Sequence, residues 1–459
     1  MSDLLPLVPA APAAAEPAPD LIAGPLAPRL RPIDRDQRSP SSMDELLADD
    51  HLARLVWAYV QQLDLSAFYG LIRAVEHVPG RNATDAALLV ALWLYATLDS
   101  ITSARQLDKR CRDSLPYQWL CGGVSLNYHT LADFRVDHLD RLNELFSDTI
   151  ACFQQEGLIT LERTAQDGLK VRAAAGESSF RREETLREAL QKAQEYLRQL
   201  QEQELSVVSK RQQAAQQRAG RERVDRLQAA LANLEELKQQ RAQRDRPEQK
   251  DQQQKPPRAS RTDPEARKMR MADGGYRPAY NVQLNTEVGA GLIVGVAVTT
   301  AGNDSNEMLP MLEQMQERYQ QVSDEHLVDG GFVNKEQIAQ AVQEYSTTVY
   351  APLKEEQKQL RAGKDPYQAK RGDPPAVAEW RQRMGTAAAK EIYKQRASTA
   401  EWANAQARNR GLYQVRVRGQ QKVLAVILWY VLAHNLVRAL ALRAAKAKEV
   451  QVKAAAQTD

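Results

Sequence analysis

A heptad-patterned segment interrupts the strand-like part of this sequence, and it limits the available folds more than any other feature. Within residues 178–245, apolar positions step by three and four residues over two stretches, 186–200 and 224–234. Each stretch is a short coiled-coil seam, and Gly220 lies between them. We therefore predict an antiparallel helical hairpin inserted into a domain whose strands lie on both sides of it.

Outside the insertion, strand-like runs alternate with helical ones. Residues 158–176 have the pattern of one strand, and residues 276–300 have that of two strands around the hairpin signal "EVGAG". A helix, the strand "EHLVDGGF", a second helix and the strand "STTVYAPL" follow. An antiparallel meander that leads into parallel β–α–β units predicts an α/β domain with a mixed sheet.

The residues before this domain are typical of short helices joined by tight turns. Basic side chains, among them Arg112 and Arg135, lie between these helices, which suits a helix-turn-helix-like unit for DNA binding or assembly, although most small helical bundles share the pattern. The predicted organisation is a disordered Pro/Ala-rich tail (1–43), an all-helical domain (44–157), the α/β domain (158–177 and 261–445), the hairpin with a polar linker (178–260), and a polar tail (446–459).

Composition adds only weak limits on function. A chain of 459 residues exceeds one ordinary core, and its net charge of +3 permits nucleic-acid binding without arguing for it. The three cysteines have no metal-ligand spacing, and we predict core thiols in a reducing cytoplasm. The apolar runs 85–98 and 423–440 are predicted to be buried helices, with His434 as a core histidine.

Three carboxylates are the candidate site residues, and each has an alternative interpretation. Asp167 and Asp329 each end a strand run and precede glycine, and Asp-Gly is by itself a favoured turn dipeptide. Glu401 stands three residues after Ser398, the spacing of a helix capping box. Asp304 opens another such box, and we interpret it as a cap only.

The joint arrangement of these acids favours a metal site. If the strand at 158–176 is central, Asp167 and Asp329 lie on neighbouring strands about 4.8 Å apart, and a helix over that edge can bring Glu401 to them. Converging carboxylates repel one another unless a cation binds. Oxygen ligands favour Mg²⁺ or Mn²⁺, and two such ions can support an in-line phosphoryl displacement. Glycines beside the acids would let a phosphodiester come close.

Several stretches resemble the DDE transposases of bacterial insertion sequences. The stretches are "SARQLDKRCRDSLPYQWLCGGVSLNYHTLADFR", "QDGLKVRA", "TDPEARKMRMADGGYRPAYNVQL", "VDGGF" and "YKQRASTAEWANAQARNRGLYQVRVRG", in this order over roughly residues 45–440. The resemblance implies a ribonuclease-H-like catalytic domain preceded by a helical domain. It also implies Asp167, Asp329 and Glu401 as catalytic acids that bind two Mg²⁺ or Mn²⁺ ions.

The segment around Glu401 looks like the Tyr-Arg-Glu-Lys signature of that family, with Tyr393 and Arg396 before the acid and Arg408 after it. It departs in two ways, since the gap from Arg396 to Glu401 is one residue longer than usual and arginine replaces the lysine. A solvated basic face is the alternative to DNA contact for the arginines after Glu401. The candidate DNA contacts are Lys170, Tyr393, Arg396, Arg408, Arg410, Arg112 and Arg135.

The resemblance implies a transposase that cuts DNA at the ends of its element and joins them to target DNA. Expected partners are terminal inverted repeats, target DNA and a second copy of the chain, without a membrane. The expected location is the bacterial cytoplasm, at the nucleoid. A nuclease of the same fold without strand transfer, and a non-enzymatic DNA-binding derivative, are the alternatives. The hairpin suits a dimerisation arm, a DNA clamp or an inert insertion, and a coil closed within one chain is expected.

Overall fold

The computed structural model describes residues 31–33, 38–39, 41–75, 77, 80–202, 207–244 and 256–455. Most of the predicted disordered tail and of the polar linker lies outside these residues. The described part combines an N-terminal helical region with a mixed sheet, as the sequence predicts.

Eight helices form the N-terminal region after two very short paired strands. α4 is apolar all round, and ten residues from Ala87 to Ala96 are buried in succession, as expected of a helix at the centre of a core. The elements are β1 (Arg38–Ser39), β2 (Ser41–Ser42), α1 (Met43–Leu46), α2 (Leu52–Val60), α3 (Ser66–Tyr69), α4 (Ala86–Leu98), α5 (Ala104–Asp113), α6 (Leu115–Cys121), α7 (Tyr128–Val136) and α8 (Leu139–Gln155).

A six-stranded mixed sheet forms the centre of the second part of the chain. The remaining strands are β3 (Arg163–Arg172), β4 (Phe180–Arg181), β5 (Ala259–Ser260), β6 (Arg267–Arg270), β7 (Tyr276–Glu287), β8 (Ile293–Thr299), β9 (Glu325–Leu327) and β10 (Thr348–Tyr350). β3 lies between antiparallel β7 and parallel β9, and β10 continues the sheet in parallel beyond β9. On its other side, β7 pairs antiparallel with both β6 and β8. The first long strand therefore has the central position that the metal-site hypothesis requires.

Nine further helices complete the described structure: α9 (Glu183–Glu202), α10 (Val207–Arg244), α11 (Met308–Tyr319), α12 (Lys335–Tyr345), α13 (Glu356–Arg361), α14 (Pro375–Met384), α15 (Ala387–Arg396), α16 (Trp402–Asn409) and α17 (Gln420–Ala455). Four of them add to the sequence interpretation. The basic polar stretch 354–390, for which the sequence predicts no helix or strand, contains α13, α14 and the start of α15. The predicted polar tail from residue 446 continues α17 as far as Ala455.

The insertion is a helix pair, but its geometry differs from the prediction at one glycine. Gly220 lies inside α10, and a side chain there would come within 2.8 Å of Leu197 Cδ1 on α9. Gly220 therefore marks a close approach of two helices and not the turn between them. The predicted apolar seam is packed between α9 and α10, with Leu186, Ala193, Leu227 and Leu234 buried.

Both ends of the insertion are fastened at one place. β4 pairs antiparallel with β5, so that Phe180 faces Ser260. The hydroxyls of Ser179 and Ser260 also share a hydrogen bond of 2.7 Å. The chain consequently leaves the sheet region and returns to it at adjacent points.

The N-terminal helices and the α/β part share one hydrophobic core, which the predicted boundary at residue 157 did not suggest. α17 packs against α4, α7, α8 and β8, and Trp429 on α17 is fully buried. The segment Gln420–Lys453 is long and apolar enough to cross a membrane, but 78% of its most apolar window is buried inside the protein. The burial identifies it as a core helix, as predicted for residues 423–440.

Asp373 accepts hydrogen bonds from Lys335 on α12 and from Arg381 on α14, and its ionisation should affect the stability of the protein at low pH. Burial would raise the pKa of this carboxyl, but hydrogen bonds from Lys335, the Lys370 backbone and Arg381 outweigh it and lower the pKa to about 2. A depressed folded-state pKa stabilises the protein above the unfolded-state value, and this stability disappears as pH falls through the folded-state value.

Replacing Asp373 by asparagine should therefore lower the free energy of unfolding by about 2 kcal/mol at pH 7. The difference from the unsubstituted protein should shrink as pH falls from about 4 towards 2. Urea unfolding at pH 7 and pH 3 measures both values. Asp140→Asn, at an exposed position in the first turn of α8, is the control. An Asp373 effect that is unchanged at pH 3 would contradict the assignment.

Candidate active site

Two of the predicted acids lie in register on neighbouring parallel strands. Ala165 on β3 pairs with Leu327 at the end of β9. Asp167 and Asp329 each come two residues later, so both lie on the same side of the sheet by the two-residue repeat of a strand. Asp329 Oδ1 accepts a hydrogen bond of 2.7 Å from the Gly331 backbone, where a short 3₁₀ turn begins. Asp329 therefore caps a turn, and it also lies at the edge of the sheet that carries Asp167.

Glu401 ends a π-helical turn that joins α15 to α16. This turn, Ala397–Glu401, continues the helix without a break, and the Ser398 hydroxyl donates back to the Gln395 carbonyl at 3.0 Å. The capping-box alternative for Glu401 is wrong, because no helix begins at Ser398. A π turn bonds residues five apart, so it places Arg396 and Glu401 on one face. The extra residue noted in the sequence between these two is thus accommodated by the wider turn.

Arg396 connects two of the acids directly. Its Nη2 lies 3.1 Å from Glu401 Oε1, and its Nη1 lies 3.8 Å from Asp167 Oδ2. The Arg396 side chain is 12% exposed, whereas that of Glu401 is 60% exposed. Glu401 therefore stands at the open rim of the site, tethered to Asp167 through a partly buried guanidinium.

Asn404 is a site residue that sequence reasoning missed. It is buried on α16, and its side-chain amide donates a 2.9 Å hydrogen bond to Asp167 Oδ2. The signal was available, because residues three apart on a helix share a face and Asn404 follows Glu401 by three. Asn404 orients the Asp167 carboxylate from the helix that also carries Glu401.

The surroundings of Asp167 disfavour its charged form. Burial raises the pKa of Asp167 to about 6. Arg396 opposes this shift, while the negative charges of Asp329 and Asp304 add to it. A cation bound among these acids would relieve both the burial cost and the repulsion.

Asp304 approaches the same edge of the sheet from the opposite face. Its Oδ1 accepts hydrogen bonds from Asn281 (2.6 Å) and Gln283 (2.7 Å), and both of its oxygens lie 3.2 Å from Lys170 Nζ. The expectation that Asp304 caps α11 is wrong, since Glu307 occupies the N-cap position. Lys170 is held by this carboxylate, and a phosphate contact by Lys170 stays a prediction.

Gly168 makes room for that carboxylate. A Cβ atom at this position would overlap the Asp304 carboxylate and would come within 2.9 Å of Gln283 Nε2. Gly168→Ala should consequently displace Asp304 and lower the free energy of unfolding by about 1–3 kcal/mol. Chemical denaturation measures this loss, and Gly302→Ala is the control because a Cβ there meets no atom within 4 Å. Equal effects of the two changes would show that Asp304 does not constrain position 168.

The donor set fits a hard divalent cation in its chemistry. Asp167, Asp329 and Glu401 offer only carboxylate oxygens, which Mg²⁺ and Mn²⁺ prefer. Within the described residues, no three His, Cys, Asp or Glu side chains stand close enough together to form a metal site. The structure thus brings Asp167 and Asp329 to one edge of the sheet, and Arg396 links Glu401 to Asp167.

The other predicted DNA contacts differ in their surroundings. Tyr393 lies beside Arg396, and burial raises the pKa of its phenol. Arg408 is exposed on α16, and Arg112 is exposed and ion-paired with Asp108 at 2.7 Å. Arg135 is buried and stacks on Trp93, with its guanidinium carbon 4.5 Å from the ring centroid. That packing fixes the Arg135 side chain inside the protein, and DNA contact by these residues, and by Arg410, stays a prediction.

Two family models match parts of the chain on either side of the sheet. Residues 41–137 match a transposase domain (DUF772), and residues 368–440 match a transposase DDE domain. The two matches support a DDE transposase of an insertion sequence. The DDE match includes Glu401, Tyr393, Arg396 and Arg408, while Asp167 and Asp329 lie outside it. No curated protein and no solved structure matches the chain.

Proposed function

We propose that this transposase cuts phosphodiester bonds at the ends of its element with divalent metal ions and joins the resulting 3′-hydroxyls to target DNA. The observation that carries the proposal is the register of Asp167 and Asp329 on adjacent parallel strands, with Glu401 tethered to Asp167 through Arg396. Such a site at the carboxyl edge of a mixed sheet supports a ribonuclease-H-like catalytic domain, in agreement with the strand order.

Asp167, Asp329 and Glu401 would hold two Mg²⁺ or Mn²⁺ ions. When bound, such ions activate a water or 3′-hydroxyl and stabilise the leaving oxygen of an in-line displacement. Asn404 fixes the orientation of Asp167, and the π turn keeps Glu401 on the face that carries Arg396. Arg396 partly neutralises Asp167 and Glu401, and its guanidinium would be free to bind a phosphate oxygen if a metal ion took its place beside Glu401.

The remaining partners follow from this reaction. The proposed substrates are terminal inverted repeats and target DNA, at the bacterial nucleoid in the cytoplasm. Work on two DNA ends requires two active sites, so we propose a homodimer in the DNA complex. Arg408 and Arg112 are exposed on separate helices, and we propose that both contact DNA phosphates.

A cleavage assay tests the proposal. The full chain is incubated with duplexes that carry the inverted repeats flanking its coding region, with Mg²⁺ or with EDTA, and with a supercoiled target. Metal-dependent cuts at the repeat ends and joined products support the transposase reaction. Cuts without joined products would indicate a nuclease instead. DNA binding without any metal-dependent cut would leave only a DNA-binding protein, and the catalytic proposal would be wrong.

A further inference from the structure

Three arginines line a small cavity at the junction between the N-terminal helices and the α/β part. The cavity has a volume of about 20 Å³, and Arg135, Arg410 and Arg416 contribute to its wall together with Thr102 and Tyr430. No carboxylate is among its lining residues in the described part of the chain. The cavity is separate from the site of Asp167.

The positive charge in this cavity has no carboxylate beside it among the lining residues that the structure describes. Arg135 is 7% exposed, and its guanidinium donates to the Thr102 carbonyl at 2.8 Å through Nη1, whereas its buried Nε has no hydrogen-bond partner among the described residues. Nη1 of Arg410 is likewise buried without a partner in that part of the chain. Burial, with a smaller contribution from the nearby charge of Arg416, lowers the pKa of Arg135 to about 10. Buried guanidinium groups without an acceptor are costly, so such a site favours an anion.

The backbone between Arg410 and Arg416 is fixed to the end of β3. Residues 413–415 run beside the end of β3, where the Arg172 N–H donates to the Tyr413 carbonyl at 3.0 Å and Val415 N–H donates to the Arg172 carbonyl at 2.9 Å. Gly411, with φ of +83°, provides the left-handed bend that turns the chain into this position. Arg416 is also tied to Thr102, since its Nε lies 3.3 Å from the Thr102 hydroxyl. The segment that carries Arg410 and Arg416 therefore has a fixed backbone, and Arg416 has one side-chain contact to Thr102.

We propose that Arg135, Arg410 and Arg416 bind one phosphate group in this cavity. A cavity of this size holds one oxygen-sized group at its floor. One phosphate oxygen would thus reach the buried donors while the rest of the group stays at the mouth, where Arg416 is exposed. Arginine donors suit phosphate because several N–H groups can bond its oxygens at once.

The cavity adjoins a larger cleft that could supply the phosphate. This cleft, of about 920 Å³, shares Thr102, Arg135 and Arg416 with the cavity and is bordered by α5, α7 and α10. Its lining carries basic and acidic side chains, including Arg105, Arg418 and Lys422 on the basic side and Asp133, Glu222, Asp225 and Glu265 on the acidic side. The phosphate comes either from a DNA backbone in the cleft or from free inorganic phosphate. The DNA source rests on the proposed function, whereas the free anion does not.

The test measures DNA binding and anion binding separately, with the full chain and its Arg410→Gln and Arg416→Gln variants. Anisotropy of a labelled random-sequence duplex is followed against KCl concentration in EDTA, so that cleavage plays no part. Losing one phosphate contact should reduce the slope of log affinity against log salt by about one. Thermal unfolding with inorganic phosphate, against chloride at equal ionic strength, reports the free anion. Arg361→Gln, exposed on α13, is the matched charge control.

Each outcome decides between the sources or rejects the site. A slope reduced in the two variants but not in Arg361→Gln supports a DNA phosphate, even if the chain does not cut DNA. Stabilisation by inorganic phosphate that is lost in the variants, with unchanged slopes, supports a free phosphate. If both measurements equal those of the control, the cavity holds only water and the proposal is overturned. Arg410→Lys, which keeps the charge, should restore part of either effect, and circular dichroism verifies that each variant folds.

Discussion

Replacing Asp167 by asparagine is expected to reduce metal-dependent cleavage of terminal DNA by at least about 10³-fold. Asparagine keeps the size of the side chain but removes the charge that would hold the metal, and metal-ion catalysis supplies several kcal/mol of transition-state stabilisation. A time course of product formation at saturating Mg²⁺ measures the loss. Asp167 also has a raised pKa because burial disfavours its charge, so its replacement should not weaken folding.

Asp140→Asn is the matched control for this experiment, because Asp140 is exposed in the first turn of α8, away from the sheet. It should cleave at the rate of the unsubstituted protein. Urea unfolding of both variants separates a catalytic loss from a folding loss. Full cleavage by the Asp167 variant would remove this acid from the catalytic set, whatever the behaviour of Glu401.

Replacing Trp429 by alanine is expected to lower the free energy of unfolding by about 3–5 kcal/mol. Trp429 on α17 is fully buried, and its indole nitrogen donates to the Arg135 carbonyl at 3.0 Å. Its ring also lies 6.0 Å from that of Phe134 on α7. The substitution opens a cavity where the N-terminal helices meet α17, and it should lower the denaturant midpoint of the whole protein.

Trp402→Ala provides the comparison for that measurement, since Trp402 is 36% exposed and should cost less. Secondary structure and intrinsic fluorescence should fall in one transition if the two regions share a core. A Trp429 variant that loses only the N-terminal helices at low denaturant would show that those helices form a separate unit.

The elements that the sequence predicted were those with local patterns. The seam between α9 and α10 follows from heptad spacing, and the mixed pairing of the sheet follows from the order of the strand runs. The acids Asp167 and Asp329 could be placed on neighbouring strands because parallel strands end at a common edge. Both predictions needed only the periodicity and order of residues.

The features that sequence reasoning missed depend on contacts between distant segments. The local sequence around Asp304 is the same whether this residue caps a helix or binds Lys170. Only the folded structure shows that it binds Lys170. The core shared by α17 and the N-terminal helices joins residues far apart in the chain. The helix α14 was also missed, although it has a local signal. Val377, Trp380 and Met384 are buried at helical spacing, but the surrounding stretch is rich in charged residues.

The π turn that ends at Glu401 could not be predicted from the local sequence either. A capping box and a continuing helix have the same residues at 398 and 401, and only packing selects between them. Burial of Thr399 and Ala400 against the sheet favours the continuous helix. The extra residue that looked like a departure from the family signature is the one that widens this turn.

The adjacent ends of the helix pair α9 and α10 have a consequence for how such a protein can change over time. Since Phe180 and Ser260 already sit side by side, whole turns can be added to or removed from the pair without moving any strand of the central sheet. A change in the length of the helix pair should therefore have little effect on the stability of the sheet or on the position of Asp167 and Asp329. The helix pair can become longer or shorter independently of the candidate site.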